Sequence, residues 1–309
     1  MPDELFYWLF NMSITASLVG LIILLLRRIR AIPRRVIRFL WLIPLIRCWI
    51  PVGISGKFGL LPLIARFTTK TVTVLTLDED LAVTTTNFLM AAESYEPLSY
   101  KNDGLEKVFG IGACVWMIVG LAIVLTVAAL YAFTLSETKR ALRLPNEKNV
   151  YVTKNVTSPA VFGVFRPRIL LPPSVTAGET ESLSLILTHE RAHIRAWDNG
   201  WRLIAFLTAA LHWFNPLTWL FLKAALEDAE LACDERVLSG FPEDKRQAYA
   251  AVLIECAGEK PVFVSALGGA KLRLRVERIL AFQKLSWISG VLLAVFVGVI
   301  ACVLLTNAG

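Results

Sequence analysis

Histidine is almost absent from this chain: three residues in 309, His189, His193 and His212, and the first two lie four positions apart. Cysteine is sparse as well. Cys48, Cys114, Cys233, Cys256 and Cys302 are odd in number and form no CxxC pair, so no disulfide framework is implied. Charged residues make up only 18% of the chain against 56% hydrophobic, and the mean hydropathy is +0.59, which excludes an ordinary soluble domain. A net charge of +7 would suggest nucleic acid in a soluble protein. Here the basic residues cluster beside apolar runs, where they set membrane topology, and no nucleic-acid partner is expected. The abundant feature is the long uncharged run, and the first partner it implies is a lipid bilayer.

The run from Leu5 to Leu26 carries no charge, is long enough to span the hydrocarbon core, and is too long and wrongly flanked for a cleaved signal peptide. Six arginines follow between Arg27 and Arg38, which places that loop in the cytoplasm and the N-terminus outside. A second span is expected from Phe39 through "FLWLIPLIRCWIPVGI", interrupted by Pro44, Arg47 and Pro51, with Arg47 read as near one interface and snorkelling or pairing inside the bundle the alternative. A third runs from Val108 to Phe133, before the basic cluster of Lys139, Arg140 and Arg143. A fourth runs from Trp287 to about Leu305, after Arg273, Arg275, Arg278 and Lys284. The expected architecture is a multi-pass α-helical membrane protein with four transmembrane helices and both termini outside. Residues 1–56 hold the first two helices and the basic loop, 57–107 an extracytoplasmic loop, and 108–134 the third helix. Residues 135–285 form an inserted cytoplasmic α+β domain, and 286–309 the fourth helix with a short outer tail.

Within the insertion, the β-branched runs between Asn149 and Pro172, punctuated by Ser-Pro, Gly163 and Arg-Pro, predict two or three short strands. A helix is expected next, with Glu179 and Glu181 in its first turn and Leu183, Ile186 and Leu187 at helical spacing. It carries "LILTHERAHIRAWDN", Leu185 to Asn199. His189 and His193 at i and i+4 project from one helix face and can grip one metal ion, and Glu190 stands beside the first. This is HExxH, whose imidazoles suit zinc and whose glutamate serves as the base for hydrolysis. The bland alternative is a His and Glu pair on a solvated helix face. A third ligand is sought downstream in "LEDAELACDERVL", Leu226 to Leu238. Glu230 and Asp234, again i and i+4, are assigned as third ligand and as acceptor for a ligand imidazole N–H, with Glu227 and Glu235 as substitutes. Cys233, within the same turn, could serve as a thiol ligand but is read as packing, pointing away from the Glu230 face. A solvated acidic face is the competing reading of this helix.

Between these helices lies an apolar stretch, Trp201 to Leu226, broken at Asn215-Pro216. Neither half reaches the length of a span, so a re-entrant or interfacial hairpin is expected, either a greasy gate beside the zinc or a helix pair packed on the bundle. His212 is read as structural or interfacial. Tyr249 is read as helix packing, with support of an oxyanion the alternative. One of the strands between Val150 and Leu171 is expected to offer its edge to an extended peptide substrate.

The order "PAVFGVFRPRILLP", "THERAHIRAWD", "HWFNPLTW", "DAELACDERVL", "YAAVLIECA" resembles the membrane metallopeptidases of the BlaR/MecR type, the β-lactam sensor-transducers and antirepressors, over most of Val150 to Leu280. The resemblance implies a gluzincin-like domain between the third and fourth transmembrane helices, with His189, His193 and Glu230 as Zn2+ ligands and Glu190 as base. It also implies a bacterial cytoplasmic membrane location, and a cytoplasmic transcriptional repressor, or the chain itself, as substrate. Self-cleavage would fall in the Gly-containing stretch Glu259 to Leu272. Well-known members carry an extracellular penicillin-binding sensor after the fourth span, and this sequence stops at Gly309 without one. A signal is then expected to enter through the outer loop, a partner, or a domain lying beyond this sequence, and a sensor partner or a homodimer is the expected association. Two alternatives stand beside the regulatory endopeptidase: a quality-control membrane metallopeptidase, and a non-catalytic receptor or scaffold with a structural zinc site.

Overall fold

The computed structural model describes residues 2–49, 54–55, 73–77, 81–85, 103–145, 147–177, 180–257, 272–283, 290–291, 295–300 and 306–307. Among the described residues, two helices are long and apolar enough to cross a membrane: α1 (Pro2–Leu26), and the 107–136 stretch of α4 (Asp103–Thr138). The second expected span is not one continuous helix among the described residues. It is α2 (Arg34–Leu40) followed by α3 (Leu42–Trp49), with the break at Trp41. Pro44 is the physical reason, because it lacks the N–H that would bond the carbonyl of Leu40 one turn earlier. Most of the expected fourth span, most of the outer loop and Glu259 to Lys271 of the expected self-cleavage stretch lie outside the described residues, as does Glu179. In the outer-loop region, β2 (Thr73–Leu77) and β3 (Leu81–Thr85) pair antiparallel, and β1 (Ile54–Ser55) pairs with β8 (Thr306–Asn307).

Ahead of the expected window, β4 (Leu142–Arg143) adds to the three short strands found between Asn149 and Pro172, β5 (Val150–Val152), β6 (Ala160–Phe162) and β7 (Arg168–Leu171), giving a four-stranded sheet in the order β4-β5-β7-β6. Strands β5 and β7 run parallel and the outer pairs antiparallel, so β6 forms one edge. Its buried face carries Val150, Ile169 and Leu171 into a core shared with the helices that follow: α6 (Thr180–Arg195), α8 (Pro216–Gly240), α9 (Lys245–Ala257) and α10 (Leu272–Leu280). The one-turn α5 (Pro173–Thr176) leads from the sheet to α6.

The apolar hairpin and the acidic stretch turn out to be parts of one unit. Helix α7 (Asp198–Leu211) rises from the end of α6, turns at His212–Asn215, and returns as α8, a single 25-residue helix. Asn215 caps α8 by accepting from the Leu217 N–H, and Pro216 sits at the first helical position, where a missing N–H costs nothing. The cap also fixes the hairpin against α1: Asn215 Nδ2 donates to the hydroxyls of Ser13 and Ser17, each at 2.7 Å. Phe214 packs on Phe6 and Phe10, and Phe221 occupies the gap left by Gly20, where a Cβ would stand 2.3 Å from the ring. His212 is fully buried and donates to the carbonyl of Cys48 at 3.2 Å.

Candidate metal centre

Helix α6 buries the face carrying His189, Glu190 and His193, and the i,i+4 spacing brings the two imidazole Nε2 atoms to 3.1 Å. Helix α8 adds the carboxylate of Glu230, whose Oε2 lies 3.7 Å from His193 Nε2 and 4.0 Å from His189 Nε2. Two nitrogens and one oxygen thus converge from two helices. Their separations are near the ~3.3 Å between ligands of a tetrahedral zinc ion, so the donor set fits zinc in both chemistry and spacing.

The other ring nitrogens are held from behind. His193 Nδ1 donates to Asp198 Oδ2 at 2.6 Å, and the buried Asp198 is in turn ion-paired with Arg38 of α2. A sharp reversal makes this contact: Trp197 takes a left-handed conformation (φ 54°) between α6 and α7, which returns Asp198 toward the histidine five residues earlier. Gly200 makes room for the turn, since a Cβ there would stand 2.4 Å from the Trp197 ring. His189 Nδ1 meets the Tyr249 hydroxyl at 2.7 Å, and that hydroxyl donates to Asp234 Oδ1 at 2.8 Å. Asp234 lies 3.5 Å from His189 Nδ1 and also receives two bonds, each 2.8 Å, from Arg275 of α10. Both imidazoles are thereby oriented through Nδ1, which leaves Nε2 turned toward Glu230.

Charges balance across this buried cluster. Burial pushes the His189 pKa well down, reinforced by His193 and Arg275. Burial would also lower His193, but Glu230 and Asp198 hold its pKa well above the usual value. Burial would raise Glu230, yet His193, Arg202 and Arg275 draw it well below the usual carboxylate range. Arg202 donates to Glu230 Oε1. Burial raises the pKa of Glu190, the direction that suits a proton-transferring carboxylate.

Three site readings from sequence change. Cys233 does not point away from the Glu230 face. At i+3 from Glu230 it shares that face, and its buried thiol lies 3.7 Å from His189 Nδ1 and 3.5 Å from the His189 carbonyl. His189, His193 and Cys233 thus form a second three-residue group able to hold a metal. Glu227 and Glu235, the substitute ligands, are engaged elsewhere: Glu227 pairs with Arg27, and Glu235 accepts the backbone N–H groups of Arg34 and Arg35. Tyr249 is more than packing, because its hydroxyl joins the histidine cluster. Asp198, Arg38 and Arg202 were missed. For Asp198 there was a local signal, a carboxylate in the "AWD" that closes the histidine helix; nothing near Arg38 in sequence points to a histidine 155 positions away.

Behind the histidine helix, Asn199 Nδ2 donates to the carbonyls of Val161 and Gly163, each at 3.0 Å, which fixes edge strand β6 against α7. Gly163 (φ 94°) occupies backbone space that side chains rarely tolerate.

A mostly helical chain with two membrane-length helices and a buried histidine pair defines a membrane-associated protein of metallopeptidase type. The profile of the BlaR1 peptidase M56 family matches residues 7–279, and the chain belongs to that family. It is similar to the regulatory protein BlaR1 of Bacillus licheniformis, 26% identical over 216 residues, which is 61% of this chain and 36% of the relative. It is also similar to the methicillin resistance mecR1 protein of Staphylococcus aureus, 26% identical over 107 residues, 34% of this chain and 18% of that protein. The chain therefore spans about a third or less of the curated relatives it matches.

Proposed function

We propose that this protein is a zinc endopeptidase of the bacterial cytoplasmic membrane that acts in regulation, cleaving a cytoplasmic repressor or itself. The observation that carries the reading is the convergence of His189 Nε2, His193 Nε2 and the Glu230 carboxylate beside a buried Glu190. In it, His189, His193 and Glu230 hold Zn2+, which when bound polarises the scissile carbonyl and acidifies water. Glu190 takes the proton from the attacking water and delivers it to the leaving amine, a role that its raised pKa supports. Asp198 and the Tyr249–Asp234 pair keep the two imidazoles in the tautomer that presents Nε2. The names of the relatives, a regulatory protein and a resistance protein, support a signalling role.

The same reading places residues 135–285 in the cytoplasm as a gluzincin-like domain within a four-span protein, with the α7–α8 hairpin re-entrant. The contacts of Phe214 with Phe6 and Phe10 near the start of α1 support that depth. The decisive experiment measures zinc content and proteolysis of purified wild type beside Glu190→Gln and Glu230→Ala. One zinc per chain in wild type and Glu190→Gln, its loss in Glu230→Ala, and cleavage by wild type alone are the expected results; a zinc-free wild type would refute the reading.

A second reading, a structural His2Cys site, rests on the Cys233 thiol against His189. Glu230 faces the Nε2 atoms of both histidines, whereas the Cys233 thiol lies against the His189 Nδ1 that already bonds Tyr249, which ranks Glu230 first. Zinc lost in Cys233→Ala and kept in Glu230→Ala would reverse that order.

A further inference from the structure

A half-open cavity of about 410 Å³ is lined by residues of α1, α2, α3 and the α7–α8 hairpin, with Asp198 on its wall. It has two unlike ends. One runs beside Ala16 and Ser17 of α1, in the middle of the membrane-length helix, between apolar walls that include Leu45, Ala205 and Leu222. The other is rimmed by Arg38, Arg195, Arg202 and Arg236, with Asp198 the one carboxylate among the described lining residues. His189, Glu190, His193 and Glu230 do not line it, so it is not the space in front of the candidate metal centre.

We propose that this cavity holds one acyl chain of an anionic membrane phospholipid, with the phosphate headgroup seated on the arginine rim. The apolar wall at mid-helix depth suits a hydrocarbon chain. A peptide there would need a partner for every backbone N–H and C=O, and the wall supplies little beyond the Ser17, Thr208 and Thr218 hydroxyls. Arg38 and Arg202 are paired with Asp198 and Glu230, so Arg195 and Arg236 supply the rim's excess positive charge, which selects an anion, and arginine is suited to phosphate through its planar donor fork. The arginines also lie where they should for a lipid of the cytoplasmic leaflet, just past the cytoplasmic end expected for α1. A volume of this size is in the range of sites for small ligands. Arg38 and Arg202 also hold Asp198 and Glu230, so the lipid site and the histidine cluster share a wall.

The test uses the full chain in nanodiscs of phosphatidylglycerol and phosphatidylcholine in equal parts, each lipid supplied in turn with a photoreactive acyl chain. Phosphatidylglycerol is expected to label peptides containing Leu45 and Leu222 several-fold more than phosphatidylcholine does. Ala205→Phe, which fills the apolar end, and Arg195→Gln, which weakens the rim while leaving the volume intact, should each lower that labelling several-fold. Equal labelling by the two lipids would overturn the anionic headgroup. Labelling of those peptides that is unchanged in both variants would overturn the site itself.

Discussion

Two faces of one helix, α8, carry the same kind of residue to opposite ends. On one face Asp228 and Glu235 meet arginines of the 27–38 segment: Asp228, fully buried, is bound by Arg27, Arg34 and the Trp41 indole N–H, while Glu235 takes the backbone of Arg34 and Arg35. On the other, Glu230 and Asp234 meet the histidines and Arg275. At ~100° per residue, Asp228 and Glu235 fall together, and roughly opposite Glu230 and Asp234. The difference teaches that a carboxylate's role follows from what the fold sets against it. The arginine face joins the membrane helices to the domain; the histidine face is built for a metal.

Substitutions should separate the two faces. The largest effect is expected from Asp228→Ala, which leaves Arg27 and Arg34 short of a buried partner and should destabilise the protein by about 3–5 kcal/mol. Thermal unfolding in detergent is expected to show this, while the folded fraction still binds zinc normally. Zinc loss without loss of stability would contradict the division. Next comes Asp198→Asn on the histidine side, expected to weaken zinc binding ~10–100-fold through loss of His193 orientation. Competition with a chelator would read it, beside a loss of stability smaller than that of Asp228→Ala, because Arg38 loses its buried charged partner while Asn keeps an acceptor. Arg38→Lys should cost less zinc affinity than Arg38→Gln, since Lys keeps the charge that faces Asp198. The smallest effect is expected from Glu227→Gln, whose pair with Arg27 is partly exposed and should contribute no more than ~1 kcal/mol. A shift as large as that of Asp228→Ala would mean the arginine face acts as one network.

Much of this site was legible because helix periodicity is local. HExxH fixes His189 and His193 on one face whatever surrounds them, and the i,i+4 pair of Glu230 and Asp234 follows the same rule. That rule, applied one residue earlier, also places Cys233 with them. The share of the acidic residues that faces the arginines was not legible, because both faces of α8 are acidic and rotation about its axis is set by packing on α2 and α6. Arg275 and the 27–38 arginines were read as topology signals from their position beside apolar runs. The structure gives several of them buried carboxylate partners as well.

The sequence by itself determined the elements whose causes lie within a few residues. These are the uncharged lengths of α1 and α4, the histidine helix, the hairpin broken at Asn215-Pro216, and membership of a metallopeptidase family. Tertiary structure alone decided which carboxylate faces which cation and that Tyr249 and Asp198 stand behind the histidines. It also decided that a segment after the first helix reaches His193 through Asp198. The physical reason is range. Backbone periodicity and side-chain spacing act over one or two turns, whereas a buried charge must be matched by whatever partner packing brings to it, from any distance along the chain.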